Sequence, residues 1–158
     1  MFHILISLAT TISFLAYFAM ATGDGITWVH LNPQEHWPTS AKRNVFREVY
    51  WVRYVNWILT TPLILICLAL LSGLNGASML VAVSADVIMF VAGLISSLVG
   101  SHGRRWAWFT ISCIAYLAVV YQIGYHGGQA ARAKDSQIRK FFGTIGPYFL
   151  ILLVGYPM

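Results

Sequence analysis

Two stretches of this chain carry no formal charge at all, residues 1–23 and residues 54–85. Each is longer than the roughly 20 apolar residues that take an α-helix across a bilayer. The composition points the same way. Only 9% of the 158 residues are Asp, Glu, Lys or Arg, against about 25% in a soluble domain. The chain therefore reads as an all-α, polytopic transmembrane helical bundle, and a soluble catalytic domain, a secreted disulfide scaffold and a nucleic-acid binder are excluded. The net charge of +5 says little about partners, because Lys and Arg are common in the loops of membrane proteins. The two cysteines, Cys67 and Cys113, lie inside apolar runs and lack the spacing of a metal site, so neither a disulfide nor a metal is expected. The first apolar segment has no basic leader and is long enough to span, which makes it a membrane helix and not a cleaved signal.

Cutting the chain at its charges and its Gly, Pro and Asn clusters predicts five spans in a single domain over 1–158: residues 2–21, 50–71, 77–99, 106–125 and 141–158. The longest connection, 24–49, holds Pro33, Pro38 and the basic trio Lys42, Arg43 and Arg47, and is expected to be a surface loop with room for a hairpin. Ser72-Gly73-Leu74-Asn75-Gly76 is a compact turn that makes the second and third spans an antiparallel pair. Residues 126–140, with Arg132, Lys134, Arg139 and Lys140, are expected to be solvated. Lys and Arg number five on one side and four on the other, so loop charge does not orient the chain. Met1 abuts the first span and the last stops at Tyr156-Pro157-Met158, which suggests a chain truncated at both ends.

Polar groups at bilayer depth are costly and must be paired, face the bundle interior, or have a function. In the second span, positions 53, 56, 57, 60, 61, 64, 67 and 68 recur at threes and fours and define an interior face. Pro62 removes one backbone donor there, and Thr60 and Thr61 are the residue types that re-satisfy such a break. Taken alone, Thr-Thr-Pro reads as a kink in a packed helix. The third span places one carboxylate, Asp86, near its middle, where it should be protonated or hydrogen-bonded. Thr61 on the antiparallel neighbour is the expected partner. Helix glue and a functional role are equally open readings of that pair.

The order of residues in the second span is specific enough to carry a resemblance. Tyr50-Trp51-Val52-Arg53-Tyr54-Val55-Asn56-Trp57-Ile58-Leu59-Thr60-Thr61-Pro62-Leu63 resembles the third helix of the microbial rhodopsins, the retinal-binding seven-helix proteins of archaea, bacteria and fungi. Residues 85–94 are similar to that family's fourth helix, residues 105–116 to its fifth, Tyr156-Pro157 to its sixth, and residues 17–23 to the end of its second. The resemblance covers helices two to six of seven. It implies a retinal pocket formed by Trp57, Thr61, Ile64, Met89, Gly93, Trp108, Phe109, Ser112, Cys113, Tyr116, Tyr156 and Pro157. Arg53, Asn56, Cys67 and Tyr17 would fall at Schiff-base and proton-path positions. One aromatic of the family's box is replaced by Leu153.

The departures from the family's pattern bear on activity. Retinal is attached in the family through a seventh-helix lysine, and the lysines here are Lys42, Lys134 and Lys140, all in predicted connections. The proton acceptor of pumping members is a carboxylate where this chain has Asn56, and an amide does not titrate. The donor carboxylate is replaced by Cys67, whose thiol is a poor substitute. The resemblance thus implies a fungal opsin-type membrane protein that does not pump, sensor-like or stress-related and not an enzyme. A retinal photoreceptor or light-gated ion pathway whose lysine lies in sequence not included here, and an inactive truncated product, are the alternatives. No cofactor is expected in this chain as it stands, with retinal only non-covalent or in a longer form. The bilayer, in the plasma membrane, is the expected partner, with self-association into a homo-oligomer left open.

Overall fold

The computed structural model describes residues 2–31, 45–134 and 136–155, with the side chains of residues 31, 45, 141, 150 and 152–155 outside that description. The order is α1 (Phe2–Ala21), β1 (Ile26–Leu31), β2 (Val45–Tyr50), α2 (Trp51–Ser72), α3 (Gly76–Leu98), α4 (His102–Val120), a π-helical segment (Tyr121–Gly127), α5 (Gly128–Arg132) and α6 (Ser136–Gly155). Helices α1 to α3 and the continuous run His102–Arg132 are long and apolar enough to cross a membrane.

Neighbours in sequence pack as neighbours in space: α1 on α2, α2 on α3, α3 on α4, with α6 returning to α2 and α5. The core runs along the α2, α3 and α4 contacts through Trp57, Leu65, Leu68, Met89, Phe90, Ala115 and Val119. Its small residues Ala82, Ala85 and Ala92 are buried on α3. Small side chains let helix backbones approach where no water-driven force holds them together.

The α2–α3 turn follows from its residues. Gly73 adopts the left-handed conformation (φ 74°), and the Leu74 N–H returns to the Ala69 carbonyl at 2.9 Å, closing the helix end. Asn75 then caps α3, its side chain accepting from the Ala77 N–H at 3.4 Å.

One expectation is made definite and two change. The 24–49 connection contains an antiparallel hairpin, β1 on β2, with Ile26 opposite Tyr50 and Leu31 opposite Val45; Pro33, Pro38, Lys42 and Arg43 lie outside the described residues. The hairpin sits on the α3–α4 turn. The Arg47 guanidinium donates to the Ser97 carbonyl, and a Cβ on Gly100 would come within 2.6 Å of the His30 carbonyl oxygen. Partial burial there, and then the nearby Arg105 cation, hold the Arg47 guanidinium below its usual range. The fourth span starts at His102, not residue 106, and the helical run continues to Arg132 through the π segment. The last helix starts at Ser136, not 141, so Arg139 and Lys140 are helical. In both cases a charged first or last turn prolongs a helix into the bilayer rim, and reading the boundary from apolarity alone stops too soon.

Candidate functional site

The buried polar residues form a seam along α2, α3 and α4. On α2 they are Asn56, Thr60, Thr61 and Ser72, on α3 Asp86 and Ser96, and on α4 Ser112. Helix α2 runs unbroken through Pro62. The Thr60 hydroxyl bonds the Asn56 carbonyl at 2.8 Å, and Thr61 lies 2.7 Å from the Trp57 carbonyl. These are the i−4 contacts that threonine hydroxyls make within a helix; the carbonyl that Pro62 leaves without its N–H is that of Ile58, and neither of these bonds goes to it.

Thr61 Oγ1 is also 2.6 Å from Asp86 Oδ2. A hydroxyl has one proton to give, and the Trp57 carbonyl can only accept. Both contacts are hydrogen bonds when Asp86 is the protonated partner, donating to Thr61 while Thr61 donates to Trp57. Asp86 is fully buried, and its Oδ1 has no hydrogen-bond partner among the described residues. A carboxylate would be far more costly there than a carboxylic acid.

One turn along, the Ser112 hydroxyl donates to the Met89 carbonyl at 2.9 Å, which joins α4 to α3. Trp57 packs on Phe90 with ring centres 5.6 Å apart and on Tyr54 edge-on. Arg53 lies over the Tyr50 and Trp57 rings at 5.8 and 6.0 Å. Gly93 stands between them: an added Cβ would lie 3.6 Å from Tyr54 Cε1 and 3.8 Å from Ser112 Oγ.

Of the residues singled out in the sequence, the structure brings Trp57, Thr61, Asp86, Met89, Gly93 and Ser112 together. Trp108, Phe109 and Tyr116 are half-buried on α4. Tyr17, Arg53, Ile64 and Cys113 are exposed, so the predicted α2 face needs correction. The buried series runs 56, 57, 60, 61, 65, 68, 69 and 72, not through 53, 64 and 67. A 3.6-residue helix drifts by about 20° per seven residues, so the interior face shifts by one position along two turns. Ile64 and Cys67 instead line an apolar cavity of about 330 Å³ between α1, α2 and α6. Tyr156 and Pro157 lie outside the described residues, as does the side chain of Leu153. Two residues escaped the sequence reading. Phe90 closes on Trp57, and its signal was its place one turn beyond Asp86. Gln122, in the π segment, has a buried Oε1 without a hydrogen-bond partner among the described residues, and no pattern marked it.

Comparison with known proteins gives one consistent answer. The family described as bacteriorhodopsin-like proteins matches residues 1–158. Opsin-1 of Neurospora crassa is 39% identical over 100% of this chain and 53% of its own length. A bacteriorhodopsin of Haloterrigena is 34% identical over 99% of this chain and 58% of its own. Among solved structures, a light-driven proton pump from Leptosphaeria maculans superposes with a TM-score of 0.90 at 40% identity, covering 99% of this chain and 64% of that one. The chain thus spans a little over half the length of these curated relatives.

Proposed function

Because the chain belongs to the bacteriorhodopsin-like family of integral membrane proteins, we propose that it is the helical core of a fungal-type opsin that does not pump protons and serves as a sensor-like or stress-related component of the plasma membrane. The observation that carries this reading is Asn56. It is buried on the interior face of α2, its Oδ1 has no partner among the described residues, and an amide neither takes up nor releases a proton near neutral pH. Cys67 supports it from the other half of the helix, where the cavity it lines is otherwise apolar. A thiol among such neighbours is a poor relay. The Leptosphaeria neighbour is a light-driven proton pump, so this reading sets the present chain apart from a relative of nearly the same fold.

Retinal fits the wall formed by Trp57, Met89, Gly93 and Ser112 better than it fits covalent attachment. Packing does not demand glycine at 93, where a Cβ would meet only ordinary contacts, and its absence widens the face beside Met89 for a flat apolar molecule. When bound, retinal would supply light absorption. Lys134 lies against Gly73 at the α2–α3 turn and Lys140 is exposed at the start of α6; neither reaches this wall. With respect to these two lysines, binding would be non-covalent; Lys42 lies outside the described residues. The exposed apolar surface of α1, with Phe14, Leu15 and Phe18, is compatible with self-association.

The test is illumination of vesicles holding the retinal-supplemented full-length protein, with the external pH recorded. No light-driven pH change is expected, and Asn56→Asp is the variant in which one could emerge. A sustained change in the unmodified protein, abolished by a protonophore, would end the non-pumping reading. Borohydride reduction separates the modes of attachment, since only a Schiff base is trapped on the chain.

A further inference from the structure

A second cavity, of about 250 Å³, lies at the opposite end of the bundle from the hairpin, between the π segment with α5 on one side and α6 on the other. Its buried lining is apolar, Ile123, Ala131, Phe142 and Gly146, and the more open Gly124, Gly128 and Gly143 line it too. Two arginines line it, Arg132 from the last turn of α5 and Arg139 from the start of α6. Both are exposed, and neither has a carboxylate partner among the described residues. Lys134, between them in sequence, does not share the cavity, because its chain lies against Gly73.

We propose that this cavity binds a phosphoryl group, with Arg132 and Arg139 holding the phosphate oxygens and the apolar lining receiving the apolar or glycerol portion attached to it. Two guanidiniums lining one opening match a phosphate better than any neutral ligand, since each offers a planar pair of donors. Arg139 also stands at the positive end of α6, where a cation is unfavourable, and no acidic residue occupies that first turn. Asp135, which precedes it, lies outside the described residues. Gly128 and Gly143 have no packing reason to lack a side chain, since a Cβ on either would meet nothing within 4 Å, whereas one on Gly146 would touch Phe142 at 3.5 Å. Their absence keeps the groove open at the rim of the bilayer, where basic pockets between helices take phospholipid head groups.

Phosphatidic acid and inorganic phosphate distinguish the two sources of that chemistry. The full-length protein is placed in phosphatidylcholine nanodiscs, with and without phosphatidic acid, and bound lipid is read by native mass spectrometry. Phosphatidic acid should be retained, and Arg132→Gln and Arg139→Gln should each weaken retention about fivefold, while Lys140→Gln leaves it unchanged. Gly143→Leu fills the groove without altering charge and should abolish retention, and Gly143→Ala, which meets no atom, reports that the helix pair still folds. If millimolar inorganic phosphate displaces the lipid completely and binds alone, the site is one for a soluble phosphoryl ligand. If it does not, the lipid is the ligand. Equal losses for Lys140→Gln and the arginine variants, or full retention in Gly143→Leu, would show diffuse surface attraction and overturn the site.

Discussion

Helices α1 and α2 are equally apolar over a bilayer-length window, yet they occupy opposite kinds of environment. Helix α2 buries eight residues, four of them polar: Asn56, Thr60, Thr61 and Ser72. Helix α1 buries one, Ala9, although it too carries hydroxyls. The α1 hydroxyls turn back on their own helix, Thr10 donating to the Ser7 or the Ile6 carbonyl and Thr11 to the Ser7 carbonyl. On α2, Thr61 reaches across to Asp86. Hydropathy places a helix in the membrane, but it does not assign a helix its neighbours. That is done by small residues and by polar groups whose partner lies on another helix.

The contrast is sharpest for side chains of similar size. Leu65 is fully buried, and Leu65→Ala should cost about 2 kcal/mol, the low end for such truncations. The low end applies because lipid, not water, surrounds the unfolded side chain, so the cavity left behind is the main loss. Equilibrium unfolding in mixed detergent micelles measures it. A loss below about 0.5 kcal/mol would mean that the α2 interior is no better packed than its lipid-facing side.

How far the sequence spoke for itself follows the same division. The α2–α3 pair was legible because Gly73 and Asn75 are turn and cap residues with a mechanism, and because one carboxylate in an apolar helix must find a donor or acceptor nearby. The ends of α4 and α6 were not legible. Arg104, Arg105, Arg139 and Lys140 read as loop by charge, yet each continues a helix whose end reaches the aqueous rim. The hairpin was only half visible, since Ile26–Leu31 and Val45–Tyr50 alternate weakly and are set in place by Arg47 and the backbone approach at Gly100. The drift of the α2 face from 64 to 65 is a property of helix geometry that a list of threes and fours does not contain. The π segment has no sequence signature that separates it from an ordinary helix.

A middle-sized effect tests the polar seam itself. A double-mutant cycle of Thr61→Ala and Asp86→Ala should give a coupling of about 1 kcal/mol, since cross-helix hydrogen bonds in a bilayer average less than their bare strength. Asp86→Asn should be nearly neutral, because an amide N–H can replace the acid O–H as donor to Thr61. Infrared spectroscopy separates the two states of Asp86: the carboxylic acid band should be present in the unmodified protein and absent in Asp86→Asn. A carboxylate band at that site would reverse the proton assignment and remove the reason for the neutral substitution.

The smallest expected effect is the most informative about α1. Phe14 and Phe18 stack on each other on its outer surface and are 67% and 59% exposed. If lipid covers that surface in both the folded and the separated state, Phe14→Ala changes no protein packing except one ring pair, and the cost should stay within about 0.5 kcal/mol. The same truncation in the core would remove contacts on all sides. A loss above about 1 kcal/mol would therefore locate a protein partner on α1. Its dependence on protein concentration would then decide whether the partner is a second copy of the chain. A concentration-dependent loss would make α1 an interface helix and not a lipid-facing one, and its sparing use of buried residues would reflect packing between chains, not within one.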